Sequence, residues 1–83
     1  MTIRPIFEEI SKPLRQWLLA NGTAELFQES IIAIRNRRAA SAGSYEENAD
    51  YMFAIGALTA MSGIAGGELG KEITEARIAA SLF

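Results

Sequence analysis

Two groups of side chains in this sequence could do chemistry. The acidic group is Glu8 with Glu9, Glu46 with Glu47 and Asp50, and Glu72 with Glu75. Paired carboxylates can share general acid and base work in a hydrolase, provided both reach one cleft. Neighbouring residues on a helix do not face each other, so Glu8–Glu9 and Glu46–Glu47 are not such pairs. Glu46, Glu47 and Asp50 also fall at the start of a predicted helix, where negative charge complements the helix dipole. The chain has no histidine and no cysteine, which removes the common general base and the strongest neutral-pH nucleophile. The usual zinc ligands are missing for the same reason. These residues predict a protein that is not an enzyme and needs no cofactor or metal.

The basic group is Arg35, Arg37 and Arg38, with Arg15 beside Lys12 and Trp17 as a weaker second cluster. Cations at the carboxyl end of a helix complement its dipole, which accounts for the first cluster without any ligand. The sharper reading is contact with a phosphate or an acidic protein surface, because guanidinium presents a planar fork of donors. Arg35 and Arg38 share a helical face and Arg37 points elsewhere, so one helix cannot close all three on one ligand. Two copies in a symmetric oligomer could assemble a ring of arginines. At the second cluster, stacking on the Trp17 indole could assist.

The chain of 83 residues is 49% hydrophobic and carries a net charge of −2. That length allows one domain, residues 1–83, with a marginal core. Without disulfides, such a chain is stabilised by well-formed helix packing or by oligomerisation. Its acidic balance argues against nucleic acid and against an anionic membrane surface. The uncharged run over 51–67 contains Gly56, Gly63, Gly66 and Gly67 as well as Thr59 and Ser62. A spanning helix needs about 20 predominantly apolar residues, so a buried helix is the better reading of this run. The amino terminus reads as no secretory signal. A cytoplasmic protein is expected, within the bacterial host if it is phage-encoded.

Period-3.6 patterns predict an all-α fold, a small bundle with helices over about 5–20, 24–40, 45–65 and 71–82. Pro13 requires a kink near 11–13, with Ser11 capping the second part and Leu14, Trp17 and Leu18 facing inward. Asn21-Gly22 ends that helix and Thr23 caps the next. Phe27, Ile31 and Ile34 mark the inner face of the 24–40 helix. The turn Ser41-Ala42-Gly43-Ser44 makes the two long helices an antiparallel hairpin, and Ser44 with Glu47 forms a capping box. Within 45–65, one stripe is Tyr45, Ala49, Met52 and Gly56 and an adjacent one is Phe53, Ala57, Ala60 and Ile64. Met52, Phe53 and Ile55 are expected in the core. Gly66, Gly67 and Gly70 predict a bend or break, since each costs about 1 kcal/mol against Ala inside a helix. Beyond it, Leu69, Ile73, Ala76 and Ala80 share one side.

A helix apolar on nearly every side must be covered on more than one side. Two further helices and a tail cover only part of it, so the chain is expected to associate with itself. Gly56 with Ala60, and Gly63 with Gly67, stand four apart, a spacing that lets helix backbones approach closely. Either a second copy packs on this face, or Trp17 or Phe27 of the same chain fills the gap over Gly56.

Residues 26–61, in which Arg37-Arg38 precede a short turn, Glu46-Glu47, Tyr51 and Gly56-Ala57-Leu58, loosely resemble short helical-hairpin orphan proteins of tailed bacteriophages. That resemblance implies a virion accessory or host-takeover factor; the glycine-rich segment 63–70 departs from it. The expected function is a non-enzymatic, homo-oligomeric interaction module, structural or inhibitory, that binds another protein. The alternative is a binder that sequesters an anionic nucleotide between subunits through Arg35, Arg38 or Arg15.

Overall fold

The structure is a computed structural model that describes residues 9–39 and 45–82. Among these the chain is all helical: α1 Lys12–Ala20, α2 Ala24–Ala39, α3 Tyr45–Ala65 and α4 Gly67–Leu82. Residues 5–8 of the predicted first segment and the Ser44 capping box lie outside the described residues; Ile10, at the end of that segment, is buried. Helix α1 starts at Ser11 as expected. The Ser11 hydroxyl accepts the Leu14 N–H at 3.3 Å, and Pro13 sits in the first turn, where no intrahelical donor is needed. Its far end is a Schellman turn on Gly22, whose φ is +67°. Thr23 N–H reaches Leu18 C=O at 2.9 Å and Gly22 N–H reaches Leu19 C=O at 3.2 Å. The Thr23 hydroxyl donates back to the same Leu18 carbonyl at 3.4 Å.

Helices α2, α3 and α4 make an up-down-up bundle. Arg37, late in α2, lies over Tyr51 of α3, while the earlier Leu26 shares a groove with Phe53 and Ala54; the pair is therefore antiparallel. Helix α4 then folds back along α3. The Ser62 hydroxyl donates to Gly70 C=O at 2.8 Å and lies 2.9 Å from Thr74 Oγ1. The break is sharper than the glycine count suggests. The left-handed backbone is confined to Gly66 and Gly67, with φ +65° and +53°. The final helix thus begins at Gly67, four residues before the predicted 71. Gly70 is inside it and buried, and a Cβ there would stand 2.5 Å from Ser62 O. Its missing side chain is what allows the α3–α4 corner to close.

The core joins Leu14 and Leu18 of α1, Phe27, Ile31 and Ile34 of α2, Leu58 and Met61 of α3, and Ile73 of α4. All but those on α3 follow the sequence expectation. On α3 the buried stripe is Ala54, Leu58 and Met61, spaced i, i+4, i+7. Neither of the two predicted stripes is the buried one. Met52 and Phe53, expected inside, are 67% and 66% exposed, and Ile55 is half-buried. The physical reason is that an almost wholly apolar helix carries no polar side to mark which face looks outward. Nor does Trp17 or Phe27 fill the space over Gly56. Nothing lies within 4 Å of a Cβ built there.

Candidate functional site

The arginines do not converge. Arg35 faces the side where α2 meets α4, with Nη2 3.6 Å from Glu9 Oε2. The groove there is also lined by Glu72 and Glu75, so its charged lining besides Arg35 is acidic. Arg37 faces the α3 side, its guanidinium carbon 5.9 Å from the Tyr51 ring centroid, at the edge of cation–π range. It lines a groove with Glu29 and Asp50. Arg15 is half-buried on α1, on a different helix from the other three. The Arg38 side chain lies outside the described residues. An anion approaching Arg35 or Arg37 therefore meets acidic neighbours, and the two cations look to opposite sides of α2.

Glu72, read from the sequence as half of a carboxylate pair with Glu75, has a structural task instead. Its two oxygens accept the Ser11 backbone N–H at 2.7 Å and the Ser11 hydroxyl at 2.5 Å. The start of α1 is thereby tied to α4, a link between residues 61 positions apart. Sequence reasoning located the cap at Ser11 but not this partner. A cap is signalled by residues near in sequence, and Glu72 is not among them.

The largest feature that the fold leaves unaccounted for is the outer face of α3. At about 100° per residue, Ala49, Gly56, Ala60 and Gly63 fall on one line opposite the buried Ala54–Leu58–Met61 stripe. All four are exposed. Met52 flanks the line on one edge and Phe53 and Ile64 on the other, exposed by 67%, 66% and 76%. No charged side chain interrupts this strip between Asp50 and the end of the helix. Asp50 itself, with Glu29, turns toward the α2–α3 groove, a shallow depression of about 330 Å³. Gly67, the last of the four small residues picked out in the sequence, is exposed but lies past the break, in the first turn of α4. Gly56 and Gly63 leave open space above the backbone, with nothing within 4 Å of an added Cβ. The arrangement is a shallow trough of small residues between apolar ridges. It offers shape and apolar surface, and no group able to transfer a proton or attack a bond.

Comparison with protein-family models, curated proteins and solved structures gave no match for this chain. Among the described residues, no helix is long and apolar enough to cross a membrane.

Proposed function

We propose that this chain is a non-enzymatic helical interaction module that acts as a homo-oligomer and covers the surface of another protein. The observation that carries this reading is the uncharged outer face of α3, where three large apolar side chains stand exposed. Large exposed apolar patches mark sites of association more often than they mark idle surface. A structural or inhibitory accessory role in the bacterial cytoplasm fits a small module of this kind. The phage-encoded version of that role rests on the pattern of residues 26–61 alone.

Sedimentation over a concentration series tests the reading, with a reversible increase in mass expected; a species of 9.0 kDa at every concentration would end it. The same material serves for the anionic-nucleotide alternative. Thermal melts with a nucleotide panel are expected to show no shift, because Arg35 shares its groove with Glu9, Glu72 and Glu75. A saturable rise of several degrees would favour the binder instead, since a ligand of the native state adds RT ln(1 + [L]/Kd) to stability.

A further inference from the structure

We infer that the outer face of α3 is the seat of a second copy's α3, packed antiparallel about a two-fold axis level with Leu58. The inference rests on the oligomeric reading above and specifies its seam. The order of residues along the face supports it. A two-fold axis perpendicular to two antiparallel helices brings like edges of the two faces together, with residue order reversed about the axis. Set at the level of Leu58, that operation places Gly56 against Ala60 of the second copy. It also brings the Met52 edge over Gly63 of the second copy, and the Phe53 edge against its Ile64. Each small position then opposes a larger one or another small one, and both copies of every contact form at once. A bulky residue in the middle of the trough would prevent this. Met52 and Phe53 stand near one end and Ile64 near the other, and the open positions Gly56 and Gly63 lie where a neighbour must enter.

The face's chemistry fits the same occupant and excludes charged ones. With no charge on the strip, it has nothing with which to hold a nucleic acid backbone or an acidic peptide. Small residues at the contact allow helix axes as close as about 8 Å. Pooling the exposed parts of Met52, Phe53 and Ile64 from two copies, with the trough between them, buries on the order of 1,000 Å² in total. That is slightly below the range of stable specific interfaces, which makes the dimer reversible.

The absence of cysteine makes the register directly testable with single-cysteine variants and a short bis-maleimide. Ala60→Cys puts the two thiols near the two-fold axis, about 6 Å apart along the helix direction. Ala49→Cys puts them about 27 Å apart, at 1.5 Å rise per residue. Cross-linking of Ala60→Cys but not of Ala49→Cys is expected. Equal cross-linking of both would indicate a parallel pair, and cross-linking of neither, in a protein that still sediments as a dimer, would indicate another seam. Either result overturns this inference and leaves the oligomeric reading standing, whereas a monomer throughout overturns both. Ala60→Glu provides the check without cross-linker. Ala60 is exposed in the single copy, so helical circular dichroism should be unchanged while the dissociation constant rises at least tenfold. Unchanged dimerisation of Ala60→Glu would refute the seam.

Discussion

Phe27 and Phe53 are the same side chain in opposite situations. Phe27 of α2 is fully buried in the core, while Phe53 is 66% exposed in a single copy. Phe27→Ala should cost about 3–5 kcal/mol through lost transfer energy and the cavity left behind. Phe53→Ala should change the stability of the single copy by no more than about 0.5 kcal/mol, as for other exposed positions. Denaturant unfolding at low protein concentration checks both values, and similar losses would mean that Phe53 is buried. Gly70 supplies a second contrast. A methyl group there would press on the Ser62 carbonyl at 2.5 Å, and backbone cannot swing aside as a flexible side chain can. Gly70→Ala should therefore cost about 1–3 kcal/mol, even though replacing glycine by alanine inside an exposed helix ordinarily stabilises it. A rise in melting temperature would show that the α3–α4 corner can relax.

Among the elements, α1 depends most on a single long-range tie. It buries Leu14 and Leu18, but its amino end is held by the Ser11 donors on Glu72. These bonds are solvent-exposed, so Glu72→Ala should cost about 1 kcal/mol, less than a buried charged hydrogen bond would. The effect should be local. Trp17 is the sole tryptophan and packs half-buried beside the core, so its fluorescence reports on α1. In Glu72→Ala the emission should shift to the red below the main melting transition, while helical circular dichroism from the other three helices persists. Coincident transitions by the two probes would show instead that α1 unfolds only with the rest. The same element shows what could be read in advance. Ser11, Pro13 and Gly22 each have a local backbone reason for their place, so both ends of α1 were legible in the sequence. The partner Glu72 was not, because nothing local to either residue distinguishes it from any other surface carboxylate. Helix α3 failed differently. The existence and bounds of this helix were legible, but its inward face was not, since Met52 and Phe53 are as apolar as the Leu58 and Met61 that the core took.

For the whole molecule, the question is how an 83-residue chain that is 49% hydrophobic places its apolar surplus. The bundle shelters one stripe from each helix and leaves Met52, Phe53 and Ile64 outside on one face, with Leu19 and Ile78 as further exposed large residues. If α3 seats a second copy, association and folding are linked. A partner that binds only the native state raises its stability by mass action, so the melting temperature must climb with protein concentration. Between about 1 and about 500 micromolar, concentrations that bracket a reversible dimer of this size, the wild-type transition should rise by several degrees. The Ala60→Glu variant should melt at one temperature throughout, close to the wild-type value at the dilute end. This comparison separates a dimer seam from a merely sticky surface. Non-specific association of unfolded chains would lower the apparent melting temperature as concentration increases, because it draws on the unfolded state. A wild-type transition that stays flat or falls would therefore remove the two-fold pairing of α3 as a property of the native protein.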